Sequence, residues 1–246
     1  MRDTLQIRLI AYDRPAYLAK VVAGLQAMYG IHDCHIVASI DALPAGGHHR
    51  DVVDLCRSLT DDVRLRPEHL DCNRHVLGNL KEGLDEADEV LYLEDDVVPA
   101  TDALRFCRTH NHFLDHGSVY DLQINAITLL GEEWPNAHLA YRARNAFKAH
   151  KWFNPWGLYL SRHNLGRLLQ QFRSEWLLSD DVPWDQRLQQ QVFVDHDWLS
   201  LTPTLSRVRN IGVTGRYTKT AGEYLTRHRT FWSDSDYSSL IAANWH

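Results

Sequence analysis

The chain has 246 residues, 44% hydrophobic and 24% charged, enough apolar material for one sizeable core. A formal charge of −6 argues against a dedicated nucleic-acid binder, and four widely spaced cysteines without a Cys-x-x-Cys pair argue against a zinc site or a disulfide framework. No apolar run approaches bilayer length and Met1-Arg2-Asp3-Thr4 starts no signal peptide, so a cytoplasmic protein without a transmembrane anchor is expected.

Leu5 to Ala11 alternates and then runs apolar, which predicts a first strand. It turns at Tyr12-Asp13-Arg14-Pro15, and Leu18, Val21, Val22 and Leu25 then recur at helical spacing behind Pro15. A second strand, His35 to Ile40, ends at Asp41; a helix around Val52 to Leu59 and a third strand at Asp62 to Leu65 follow. Asn73 to Ala87 predicts a helix that feeds the apolar run Val90 to Leu93, a strand buried on both faces. Strands alternating with helices through residue 107 imply an α/β fold with a mostly parallel central sheet flanked by helices.

The acidic strand ends in Glu94-Asp95-Asp96, three carboxylates that packing does not explain and that are costly to desolvate without a cation. Open α/β sheets bind ligands at the carboxyl ends of their strands, and hard oxygen ligands there suit Mg²⁺ or Mn²⁺ completed by a substrate's phosphates. The plainer reading is an acidic turn before a helix that starts at Thr101-Asp102. Beyond residue 115 the pattern loosens: one or two strands in 118–130, an aromatic, turn-rich stretch from Lys148 to Tyr159, and helices from Ser161 to Phe172 and from Pro183 to Phe193. The tail from Arg207 to Arg229 holds six Lys/Arg against Glu223 alone. No internal repeat or linker is evident, so residues 1–246 read as one domain, with a nucleotide-binding half to about 107 and an acceptor half beyond it.

Seven segments then fall in a telling order: Leu9-Ile10-Ala11-Tyr12-Asp13-Arg14, Ala38-Ser39-Ile40-Asp41, Arg74-His75-Val76-Leu77-Gly78, Glu94-Asp95-Asp96, Phe153-Asn154-Pro155-Trp156-Gly157, Trp184-Asp185, and Ser206-Arg207 followed by Asn210-Ile211-Gly212. Together they resemble the GT-A-fold glycosyltransferases, most closely the N-acetylglucosaminyltransferase I type and its bacterial relatives, over nearly the whole chain. The resemblance implies an inverting, metal-dependent transfer of a sugar, hexosyl or N-acetylhexosaminyl, from a UDP-linked donor to an acceptor hydroxyl. It makes Glu94-Asp95-Asp96 the DXD motif, with Asp96 as the metal ligand, and Asp41 the uracil contact. Asp13, Arg14, Arg74, Lys81, Glu94 and Asp95 would serve the nucleotide. Trp184-Asp185 matches a Trp-Asp-Asp that carries the catalytic base; Gln186 replaces the second Asp here, so Asp181 and Asp180 stand as alternatives to Asp185. The family is commonly membrane-anchored, whereas this chain shows no anchor.

Each assignment has a plainer counterpart. Asp13 could cap the first helix, Arg74 could be solvated, and Asp185 could simply favour a helix dipole. Trp152, Phe153, Trp156 and Trp184 could stack on a sugar or plug the core. Arg207, Arg209, Arg216 and Lys219 could close over the diphosphate as a lid or form a patch for a polyanionic acceptor. The acceptor stays open between a glycan, a small molecule and a hydroxylated nucleic-acid base. Two other functions compete. A nucleotidyltransferase would place a glycine-rich phosphate loop where Tyr12-Asp13-Arg14-Pro15 stands, and a non-catalytic sugar-nucleotide or glycan-binding module would need no base.

Overall fold

Alternation in β1 (Leu5–Ala11) divides the molecule into two layers. Leu5, Ile7, Leu9 and Ala11 enter one apolar cluster, while Gln6, Arg8 and Ile10 face the other side of the sheet. The computed structural model describes residues 4–41, 49–66, 72–115, 124–131, 139, 142–173 and 184–212. Pro15 opens α1 (Pro15–Ala27), where its missing N–H removes no helical bond, and Leu18, Val21, Val22 and Leu25 are buried as their spacing predicts. β2 (His35–Ile40), α2 (His49–Arg57), β3 (Val63–Leu65), α3 (Cys72–Glu86) and β4 (Glu89–Glu94) follow within a residue or a few of expectation.

The eight-stranded sheet has the order β3-β2-β1-β4-β8-β6-β9-β7. Its second half is built from β6 (Ile124–Thr128), β7 (Phe147–His150), β8 (Leu158–Ser161) and β9 (Leu199–Pro203). β8 runs antiparallel to β4 and β6, and β7 antiparallel to β9, while the other pairings are parallel. The sheet is therefore mostly parallel, as expected. β5 (Val97–Pro99) leaves it and pairs with β10 (Val208–Asn210) in a separate antiparallel ribbon. These two short strands, and β9, were not legible in advance. The expected helix from Pro183 to Phe193 is a short α7 (Trp184–Leu188) that unwinds into a π-helical turn, Gln189–Val194. Before it, α4 (Ala103–His110), α5 (His112–Asp115) and α6 (Arg162–Gln171) pack on the sheet, with Ser161 accepting from the Asn164 N–H as the N-cap of α6.

β4 is the axis of the core. Val90, Leu91, Tyr92 and Leu93 are all essentially inaccessible, each fully buried side chain contributing about 1.5–3 kcal/mol. Leu91 and Leu93 join the α1 and α2 side, and Val90 and Tyr92 the α3, α6 and α7 side. Under α3 lies a polar seam. The fully buried Arg8 donates to Asn79 Oδ1 at 2.8 Å, to Gln6 Oε1 at 2.6 Å and to Glu82 at 2.7 Å, and Arg64 and Arg66 complete it on Asp62, Glu82 and Glu86. Among the described residues no helix is long and apolar enough to cross a membrane.

Candidate active site

β4 ends at Glu94 and the chain turns at Asp95-Asp96, so Glu94 faces Tyr92 while the two aspartates share Arg14. Glu94, in register with Ile10, accepts a 2.9 Å hydrogen bond from the Tyr92 hydroxyl, and Tyr92 stands edge-on to Trp184 at 6.2 Å between centroids. Asp95 turns towards the first loop, where its Oδ2 accepts from the Tyr12 backbone N–H at 3.2 Å and its Oδ1 from Arg14. The other arm of the Arg14 guanidinium donates to Asp96 Oδ2 at 2.6 Å.

Asp96 is enclosed on its far side by the β5–β10 ribbon. Pairing of Val97 with Asn210 brings the Ile211 N–H to the Asp96 carbonyl at 2.8 Å. The Gly212 N–H is held by Asn210 Oδ1, and a Cβ on Gly212 would collide with the Asp96 carboxylate. Glycine is thus required there by close approach. Asp96 Oδ1 is buried and has no hydrogen-bond partner. An orphaned carboxylate oxygen amid hard oxygen donors fits a divalent cation. Among the described residues no three His, Cys, Asp or Glu side chains converge into a preformed cage.

The electrostatics match an excess of negative charge. Burial, then the charges of Asp96, Asp185 and Asp95, push Glu94 well above the usual carboxylate range against the opposing Tyr92 bond. Burial, with Asp96 adding, raises Asp95 to about 6 although Arg14 opposes it. Burial alone would lower the Arg14 pKa, but Asp95 and Asp96 outweigh it and hold the guanidinium charged. Asp185, in the first turn of α7, is also raised, by burial. Tyr92 joins this turn to the triplet, its ring against Trp184 and its hydroxyl on Glu94, so the Trp184-Asp185 turn lies at the Glu94 end of the sheet.

On the nucleotide side, Asp41 follows β2, buried, with its N–H on the Ala11 carbonyl at 3.1 Å. Burial and the charges of Asp13 and Asp41 raise the Tyr12 hydroxyl, which gathers these three residues beyond the ends of β1 and β2. Behind Asp41, Ser39 Oγ lies 3.0 Å from His75 Nε2 and accepts from Arg66 Nε at 3.0 Å. This polar support, like Tyr92 and the Gly212 contact, was not expected; the run of apolar neighbours in each strand hid it. The side chain of Arg74, and Asp180, Asp181, Arg216 and Lys219, lie outside the described residues.

Other expected residues are used differently. Phe153 and Trp184 are 3% and 4% exposed, their rings packed against each other at 5.8 Å, with Phe193 at 4.8 Å from Phe153 and Phe172 at 6.1 Å from Trp184. They are core plugs with no face left for a sugar. Trp152 and Trp156 are half-buried, and the turn is set by Gly157 at φ +71°, where a Cβ would lie 2.7 Å from Leu129 and Val208. Arg207 is buried, its Nε on Asp102 at 3.3 Å and its Nη atoms on the Leu205 and Arg144 carbonyls, above the Phe106 ring. That makes it a clamp between β10 and α4 instead of a lid cation. Arg209 is exposed on β10, and Lys81 is exposed on α3.

No family model matches the chain and no curated protein matches it in sequence. Solved structures do match in fold. Residues 1–349 of S. aureus TarS align with TM-score 0.53 and 11% identity over 83% of this chain and 59% of that one. The same TarS segment in complex with UDP-GlcNAc gives 0.51 and 11%, over 83% and 57%. The mannosyltransferase PcManGT from Pyrobaculum calidifontis, in complex with GDP-Man and Mn²⁺, gives 0.54 and 15%, over 82% and 55%. The chain thus spans 55–59% of the length of these structures. Its mixed α/β architecture, a large central sheet flanked by helices, is the GT-A-like glycosyltransferase fold of these neighbours.

Proposed function

We propose that the chain is an inverting glycosyltransferase that takes a hexosyl or N-acetylhexosaminyl group from a UDP-linked donor to an acceptor hydroxyl, with Mn²⁺ or Mg²⁺ held by Asp96. The observation that carries this reading is the buried, partnerless Asp96 Oδ1 at the carboxyl end of the central strand, where an open α/β sheet binds its ligand. Neighbours of the same fold are recorded with UDP-GlcNAc and with GDP-Man and Mn²⁺, which supports a nucleotide sugar as the ligand class.

The cation, when bound, neutralises the charge that develops on the departing nucleoside diphosphate. Asp41 accepts the uracil N3–H, and Asp13 with Tyr12 borders the same pocket. Asp95, tied to the Tyr12 backbone, fixes the first loop against the triplet. Glu94, held by Tyr92, is the member of the triplet raised by the charge of Asp185. Asp185 takes the acceptor proton; the raised pKa that burial gives it makes it a stronger base than a solvated carboxylate. A single base and one displacement invert the anomeric carbon. Trp152 and Trp156 border the acceptor side.

The test is a thermal-shift panel of nucleoside diphosphates and nucleotide sugars with and without Mn²⁺. UDP and a UDP-sugar should stabilise the protein only with the metal present. Stabilisation by nucleoside triphosphates alone would point to nucleotidyl transfer. Binding without any sugar transfer or donor hydrolysis would leave a non-catalytic module.

A further inference from the structure

The guanidinium of Arg14 occupies a position that two carboxylates share. Its Nη1 donates to Asp96 Oδ2 at 2.6 Å while its Nη2 is paired with Asp95 Oδ1, so one planar fork bridges adjacent residues of the triplet. The two carboxyl groups are 5% and 9% exposed, and without a cation their mutual repulsion at this depth would be costly. The Arg14 backbone is fixed: its carbonyl accepts from the Tyr17 and Leu18 N–H groups and starts α1. Its side chain is not enclosed, being 31% exposed and lying 5.6 Å from the Tyr17 ring. A fixed root and an open flank allow the guanidinium to swing without disturbing the fold.

We infer that Arg14 is an exchangeable counter-cation. It neutralises Asp95 and Asp96 while no nucleotide is bound, and it turns to the diphosphate when a divalent cation takes Asp96. The inference rests on the metal and diphosphate reading above. Its chemistry follows from charge and shape. A divalent ion approaching Asp96 meets a resident positive charge and the loss of a two-pronged ion pair, which together oppose metal binding alone. The diphosphate of the donor offers the same fork an equivalent set of oxygens, so its arrival compensates the displaced guanidinium. Metal and nucleotide then bind with positive coupling, and by linkage each tightens the other by the same factor. The free Asp96 Oδ1 gives the metal an initial foothold before Arg14 leaves Oδ2.

The experiment titrates Mn²⁺ into wild type and Arg14→Gln, following free Mn²⁺ by electron paramagnetic resonance, first alone and then with UDP. Arg14→Gln should bind Mn²⁺ alone at least about tenfold more tightly than wild type, the order that one neighbouring charge is worth at a half-buried site. The factor by which UDP tightens Mn²⁺ binding should shrink by about the same amount. Arg14→Lys, which keeps the charge and loses the fork, should fall between wild type and Arg14→Gln for Mn²⁺ alone, and thermal melts verify that both variants are folded. Equal or weaker binding of Mn²⁺ alone by Arg14→Gln overturns the exchange while leaving the metal site standing. If neither protein binds Mn²⁺ with or without UDP, the functional reading falls as well.

Discussion

The polar seam under α3 and the acidic triplet at the end of β4 use the same kinds of side chain to opposite ends. In the seam, Arg8, Arg64 and Arg66 meet Asp62, Glu82 and Glu86, one cation for each anion. Hydrogen bonds from Arg64 pull Asp62 and Glu86 below their ordinary pKa, and at Glu82 the bonds from Arg66 and the charge of Arg8 overcome the effect of burial. At the triplet, one guanidinium, that of Arg14, pairs with both Asp95 and Asp96, while Glu94 and Asp185 bring further carboxyl groups, and Glu94, Asp95 and Asp185 all move upward. A balanced cluster is finished structure. An unbalanced one at a strand end is a site that a cation and a diphosphate can complete.

The comparison breaks most visibly through the site. Asp185→Asn keeps size and polarity but removes basicity, so UDP binding should survive while transfer falls about 10²–10⁴-fold in a steady-state assay. Asp96→Asn should remove Mn²⁺-dependent stabilisation by UDP without lowering the melting temperature of the ligand-free protein, because the strand is held by Val90 to Leu93. Unchanged UDP–Mn²⁺ stabilisation in that variant would rule out Asp96 as the principal ligand. The seam should respond in the opposite way. Arg8→Met strands Glu82 and Asn79 in a half-buried seam and should cost about 2–3 kcal/mol of stability by denaturant unfolding, after allowing for the partial exposure of Glu82, yet leave UDP affinity unaltered.

How much of this was legible follows from how each residue is used. The first half was readable because Pro15, the apolar run Val90 to Leu93 and the polar turns between them each dictate one local structure. The acidic triplet was readable because carboxylates at the end of a buried strand lack a packing reason. Arg8 was not, since a charge inside an apolar strand is explained only by Asn79 and Glu82, more than seventy residues away. β5 and β10 are three residues each and exist through their pairing with one another. Phe153 and Trp184 carry equal evidence for core and for sugar contact until their neighbours are known, and Arg207 is indistinguishable by type from the exposed Arg209 beside it in sequence.

Acidification sharpens the contrast with a smaller effect. Asp62, Glu82 and Glu86 have folded-state pKa values below their unfolded ones, so they contribute stability that is present above roughly pH 4.5 and lost as the pH falls below it. The raised groups of the triplet carry the opposite sign. Melting temperatures of wild type should drop between pH 5 and pH 3, and Arg64→Gln, which removes the hydrogen bonds to Asp62 and Glu86, should show a shallower drop from a lower starting value. Parallel profiles would mean that the seam is not what acid attacks.

The smallest expected effect is at Lys81, a cation that resemblance assigned to the nucleotide. α3 runs antiparallel to β1: His75 lies against Ser39 near the strand ends, and Glu86 against Gln6 near the strand starts. At 1.5 Å per residue, Lys81 sits about 9 Å along the helix from His75, whose partner Ser39 shares the register of Glu94, and it is exposed while Leu80 and Gly83 face the sheet. A solvated cation at that distance from the strand ends lies beyond about one Debye length at physiological salt. Lys81→Gln should therefore alter stability by less than about 0.5 kcal/mol and UDP affinity by less than about twofold, measured by calorimetry with Mn²⁺ present. A tenfold loss of affinity would place the diphosphate along α3 instead of at the end of β4, and would move the whole site with it.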